Sequence, residues 1–134
     1  MGSGSNQDIV RSIYAAVGEG RMPLELLDPQ IELDLSERIF NPAVYRGHEG
    51  ARQFYGEIEE IWGDSWLSVP EQMFESGEQV VAFVRSRGRG KSSGVEVEDT
   101  SANVWTIRDG KAIAYRLYRD HDEALEAAGL PPKA

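Results

Sequence analysis

The chain has 134 residues, within the roughly 100–200 of a single domain. It carries 14 Lys and Arg against 23 Asp and Glu, a net charge of −9, which argues against a general binder of nucleic acid or anionic membrane, because phosphate binding draws on clustered positive charge. It contains no cysteine, so disulfides, thiolate nucleophiles and Cys-based zinc sites are excluded.

Residues 1–5, Met1-Gly2-Ser3-Gly4-Ser5, read as a flexible leader, residues 6–130 as one domain, and residues 131–134 as a tail. No apolar run approaches the length of a membrane span. No basic segment followed by an apolar one stands at the N-terminus, so no signal peptide is visible and a cytoplasmic location is the expectation.

Ser5 to Asp8 has the S-x-x-D form of a helix start, and Ile9, Val10, Ile13, Tyr14 and Val17 then recur at helical spacing. Gly18 and Gly20 stop this helix. Pro23 suits the first turn of a short second helix over Leu24–Leu27, which Asp28-Pro29 ends. Ile31-Glu32-Leu33-Asp34-Leu35 alternates with period two, which predicts a strand. Ser36 to Arg46, interrupted by Asn41-Pro42, reads as a loop.

After Gly47-His48 comes the clearest helix, with an apolar stripe of Ala51, Phe54, Tyr55, Ile58, Ile61 and Trp62. The chain is strand-like from there. Strands are predicted over Trp66–Phe74, where Pro70 marks an edge or irregularity, over Gln79–Arg87 and over Val95–Ile107. Asp109-Gly110 is a strong hairpin turn, and Ala112–Arg119 returns as a strand. Asp122–Ala128 is a short C-terminal helix ending at Gly129. Helices first, then antiparallel strands, describe an α+β domain with helices on one face of a bent sheet. Such a sheet can enclose a pocket.

Tyr14-Ala15-Ala16, Leu26-Leu27-Asp28-Pro29, Tyr45-Arg46-Gly47-His48-Glu49-Gly50, Val104-Trp105-Thr106-Ile107-Arg108-Asp109-Gly110-Lys111 and Glu123-Ala124-Leu125 resemble the SnoaL-like polyketide-cyclase group of the nuclear transport factor 2-like superfamily. The resemblance runs from about Asp8 to Leu130. It implies a cone-shaped, curved antiparallel sheet with the N-terminal helices on its concave face, a cystatin-like α+β fold. It does not imply one activity, because the superfamily holds isomerases, cyclases, dehydratases, epoxide hydrolases and binders without chemistry.

Within that superfamily, similarity to ketosteroid isomerase implies three catalytic residues. Asp34 is the candidate general base, and Tyr14 and Asn103 are the candidate donors to an enolate oxygen. Asn103 can donate through its amide without any pKa adjustment. Strand parity alone puts Glu32 and Asp34 on the face opposite Ile31, Leu33 and Leu35, so a surface position for Asp34 stands beside the pocket reading. The epoxide hydrolases and SnoaL-type cyclases place an acid on the last strand, where this chain has Leu117.

Parity groups Asn103 with Ser101, Trp105 and Ile107, and Tyr115 with Leu117, the latter pair pointing inward. Trp105, Tyr115, Leu117, Phe54, Tyr55 and Trp62 are the expected pocket lining, unless they simply fill the core. The Ser36–Arg46 loop, with Arg38 and Phe40, is a candidate lid.

His48 begins the third helix and His121 is expected in solvent; neither has metal-ligand spacing, and no metal site is expected. Gly88-Arg89-Gly90-Lys91-Ser92 lacks the earlier glycine and the following helix of a phosphate loop.

Two readings result. One is a pocket enzyme of the isomerase, cyclase or lyase type that abstracts a proton next to a carbonyl and needs no metal or organic cofactor. The other is a non-catalytic dimeric ligand-binding or scaffold protein of the same fold, with an epoxide-hydrolase-like hydrolase as a further alternative. Both imply an apolar small-molecule ligand. The resemblance also implies a homodimer through the convex face, near Val104, Arg116 and Tyr118.

Overall fold

The computed structural model describes residues 5–38 and 42–131. Helix α1 spans Asn6–Gly18. Ser5, counted above with the leader, is its N-cap: the Ser5 hydroxyl accepts from the Asp8 amide, and the Asp8 carboxylate accepts from the Ser5 amide, satisfying two end donors reciprocally. The stripe read from the sequence buries Val10, Ile13 and Ala16. A single 3-10 turn, Leu24–Leu26, leads directly into strand β1, Leu27–Leu35. The proline expected to end a helix at position 29 thus lies inside a strand, and the pairing register shifts between Leu27 and Glu32.

The segment expected to be a loop contains a further strand, β2 (Ala43–Arg46), antiparallel to β1. Helix α2 (Gly47–Trp62) follows without a break. It sits close on β2: a Cβ at Gly50 would stand 3.0 Å from the Tyr45 carbonyl carbon, so the close approach favours glycine. Strands β3 (Leu67–Ser76), β4 (Gln79–Arg89), β5 (Glu96–Arg108) and β6 (Lys111–Tyr118) complete the sheet. Helix α3 (His121–Ala127) ends the fold, with Asp120 as its N-cap.

The six strands lie in the order β2-β1-β6-β5-β4-β3. Every neighbouring pair is antiparallel except β1 and β6, which run parallel and join the first part of the chain to the last. Pro70 sits at a register shift of edge strand β3, where no ladder amide is needed. The β5–β6 hairpin turns on Asp109 (φ 54°) and Gly110 (φ 79°), the two positive values its Asp-Gly pair favours.

Helices α1 and α2 cover one face, here the inner face, over a cluster that includes Val10, Ile13, Leu33, Leu35, Val80 and Trp105. Helix α3 lies on the other face, against Val81, Phe83, Ala102 and Val104. The helices therefore do not all share one side. This explains why Val80–Val84 and Ala102–Trp105 are buried without alternation: both faces of these strands are covered. Beyond the helices, residues 91–100 are exposed throughout. Among the described residues no helix is long and apolar enough to cross a membrane.

Candidate functional site

Strand register decides which side chains meet on the inner face. Leu33 pairs with Tyr45 on β2 and with Tyr115 on β6, Tyr115 pairs with Trp105 on β5, and Trp105 pairs with Val80 on β4. One row therefore carries Tyr45, Leu33, Tyr115 and Trp105 side by side. The row beside it holds Leu117 against Asn103 and Asn103 against Ala82. Tyr14 reaches this surface from α1.

Tyr14 is the hub of a polar cluster. Its hydroxyl donates to Asn103 Oδ1 at 2.6 Å and accepts from Trp105 Nε1 at 3.0 Å. Asn103 Nδ2 in turn donates to Ser101 Oγ at 3.2 Å. Asn103 is 3% exposed and is the one buried polar residue among those described, so each bond replaces water that burial has removed. The rings reinforce the arrangement: Tyr14 meets Trp105 edge to face at 5.7 Å, and Trp105 meets Tyr115 at 4.7 Å.

Burial raises the Tyr14 phenol well above its ordinary pKa; Tyr115 adds to the rise and the Trp105 hydrogen bond offsets part of it. Burial likewise raises Tyr115, with Arg38 acting in the opposite direction. Both phenols are therefore neutral donors near pH 7. No carboxylate contributes to either shift.

The structure brings Tyr14, Asn103, Trp105, Tyr115 and Leu117 together on the inner face, with Phe54 packed against the same cluster. It does not bring Asp34 to them. Leu33 and Leu35 face the inner cluster, and Asp34 points to the opposite side, as its parity requires. There one oxygen accepts the Ser36 amide at 3.0 Å and the other lies 3.9 Å from the Arg116 guanidinium. The hydrogen bonds from Ser36, first, and the Arg116 charge, more weakly, hold its carboxyl below the ordinary value. The convergence expected of Asp34, Tyr14 and Asn103 is thus corrected to Tyr14, Asn103 and Ser101.

Other expected residues also move. Trp62 meets Trp66 in a tilted contact at 5.1 Å over Gly88, six residues further along β4 than the partner of Asn103, and so lies away from Trp105. Tyr55 is half-buried, with its hydroxyl near Gly20 rather than in the Tyr14 cluster. Phe40 lies outside the described residues. His48 does begin α2, and its Nε2 donates to the Leu27 carbonyl at 2.8 Å, tying the helix to β1. His121 is not free in solvent: its ring stacks on Phe83 at 3.9 Å. Val104 is 6% exposed beneath α3, whereas Arg116 is exposed and stands 4.9 Å from the Tyr118 ring centroid. Among the described residues no group of three or more His, Asp or Glu side chains could hold a metal ion.

A second polar group went unread in the sequence. The Tyr45 hydroxyl donates to Glu57 and accepts from Arg38 Nη2 at 3.3 Å, while Gln53 donates to the other Glu57 oxygen at 3.2 Å. The Arg38 guanidinium lies 5.8 Å from the Phe54 ring centroid. The readable signal was the β-prone Ala43-Val44-Tyr45 after Pro42, which sets Tyr45 inward once β2 is recognised.

Two open surface recesses of about 520 and 510 Å³ lie elsewhere, one at the Asp109-Gly110 turn beside Asp28 and Lys111, the other beside Gly88 and Arg89. On the inner face Tyr14, Phe54, Tyr115 and Leu117 are only partly buried.

A family model described as a SnoaL-like domain matches residues 10–115. Comparison with curated proteins gives no match. Three similar solved structures show the fold. An NTF2-like protein of unknown function from Burkholderia pseudomallei is 20% identical, with a TM-score of 0.75 over 94% of this chain and 98% of that one. TerC, co-crystallised with polyporic acid, is 21% identical, with a TM-score of 0.73 over 92% and 96%. A putative SnoaL-like polyketide cyclase from Jannaschia is 19% identical, with a TM-score of 0.72 over 98% and 100%.

Proposed function

The chain belongs to the SnoaL-like domain family, and we propose that it binds a flat, apolar, oxygen-bearing small molecule between α1, α2 and the inner face of the sheet. The observation that carries this reading is the aromatic wall of partly buried Tyr14, Tyr115 and Phe54 on buried Trp105, beside a few placed polar groups. Binding sites for small molecules combine such an apolar lining with a small number of orienting donors. TerC, similar in fold, was co-crystallised with polyporic acid, which supports small-molecule binding by this fold.

Proton abstraction next to a carbonyl would need a free base on the inner face beside the aromatic wall. The Glu57 carboxylate there is engaged by Tyr45 and Gln53, and chiefly the Tyr45 hydrogen bond holds its pKa below the ordinary value. Asp34 faces the other side, ionised and bonded to Ser36. Leu117 occupies the last-strand position and cannot transfer a proton. Binding, with a ligand carbonyl polarised by a neutral phenol, is therefore favoured over isomerisation, cyclisation or epoxide hydrolysis.

The test is calorimetric titration with acetylnaphthalene, a flat aromatic ketone. The native chain should bind it, and Leu117→Trp, which fills the opening, should not. No binding, or binding untouched by Leu117→Trp in a variant with native circular dichroism, would remove the proposal.

A further inference from the structure

The hydrogen bonds around Asn103 run in one direction. The Trp105 indole has a proton and no acceptor, so the Tyr14 oxygen accepts from it. The Tyr14 proton goes to Asn103 Oδ1, which leaves the Asn103 amide nitrogen to donate to Ser101 Oγ. The chain of bonds ends there. Ser101 accepts, its own proton points away from Asn103, and no acceptor for that proton stands among the described residues. Ser101 is only half-buried, unlike Asn103, so this last donor is within reach of a molecule from outside.

Ser101 stands where the cover of β5 runs out. Strand β6 ends at Tyr118, opposite Ala102, so no strand pairs with Ser101 on that side, and residues 96–100 are exposed. The β4–β5 register is unbroken from Trp105 to Asp99, so alternation puts Asp99 on the same face as Ser101, about 7 Å away along the strand. The Asp99 side chain makes no ion pair or hydrogen bond among the described residues. Ser86, its partner on β4, is bonded to Ser68 at 2.8 Å, so those two hydroxyls serve each other. Trp62 and Trp66 cover Gly88 two positions further on. Ser101 and Asp99 therefore lie between that indole pair and the Tyr14–Trp105 contact.

A hydroxyl group is the chemistry that suits this pair, since it can accept the Ser101 proton and give its own to Asp99. A carbonyl takes only the first, an ammonium only the second, and an anion is repelled by the carboxylate. We propose that Ser101 and Asp99 read a hydroxyl on the ligand, so that the bound molecule is a flat apolar body hydroxylated at the end that lies along β5. The inference rests on the binding reading above and adds a second polar end to the ligand. Asp99 stands about 13 Å along the strand from Asn103. It orients the ligand from beyond the aromatic wall and does not replace the missing base.

Calorimetric titration of the full chain with acetylnaphthalene, and with the same ketone carrying a hydroxyl on the far ring, tests the proposal. The hydroxylated ketone should bind roughly three- to tenfold more tightly, the range of one net hydrogen bond. Asp99→Ala and Ser101→Ala should each remove most of that gain, Ser101→Thr should keep it, and none of the three should weaken acetylnaphthalene. Asp99 is exposed, so Asp99→Ala decides the matter alone should Ser101→Ala fail to fold. Equal affinity for the two probes, or a gain that survives Asp99→Ala, would overturn the hydroxyl assignment while the binding reading stands. Failure of both probes to bind would overturn both.

Discussion

The Tyr14 hydroxyl donates to Asn103 Oδ1 at 2.6 Å across 89 residues of chain. That bond fastens α1 to β5 inside an otherwise apolar layer. Tyr14→Phe strands the Asn103 carbonyl oxygen and the Trp105 indole N–H, both in nearly buried residues. The expected loss is about 1–3 kcal/mol. Asn103→Leu should cost a similar amount, and the double variant less than the sum of the two, because the bond can be lost only once. Urea unfolding of the four proteins measures the coupling.

Asp34 makes a pH prediction. Its carboxyl is held below the ordinary 3.8, chiefly by Ser36 and then by Arg116. The ionised form therefore stabilises the fold above that value, and the contribution disappears as pH falls through the lower folded pKa. Asp34→Asn should cost no more than about 1 kcal/mol at pH 7, as expected of a partly exposed pair, and should flatten the acid limb of the unfolding curve below pH ~4. It should leave acetylnaphthalene binding unchanged. A large loss of binding in this variant would return Asp34 to the site.

Gly88 is a steric prediction. A Cβ there would stand 2.8 Å from Trp66 Cε3 and 3.1 Å from Trp62 Cε3. The two indoles in contact must shift to admit one methyl group. Gly88→Ala should destabilise by about 1–3 kcal/mol and alter the near-ultraviolet circular dichroism of the tryptophans. An unchanged spectrum would mean that the rings do not rest on this backbone.

The start of α1 offers a local test. Ser5→Ala removes one arm of the capping box and should cost about 0.5–2 kcal/mol. The effect should appear in unfolding midpoint without a change in far-ultraviolet spectrum at low denaturant.

Local patterns in the sequence were enough to determine α1 and its cap, the α2 stripe, the Asp109-Gly110 hairpin and the even–odd division of β1, β5 and β6, because each depends on neighbours within a turn or two. Parity already set Asp34 opposite Leu33; the resemblance to an enzyme drew it inward, and the strand geometry kept it out. What no local pattern carries is which neighbour covers a face. Tertiary structure alone gave Ala43–Arg46 a strand partner in β1, joined β1 to β6 in parallel, and put α3 on the side opposite α1 and α2. The same pairing set Tyr45, Leu33, Tyr115 and Trp105 in one row, since alternation assigns a side chain to one of two sides, and only packing between distant segments decides what lies there.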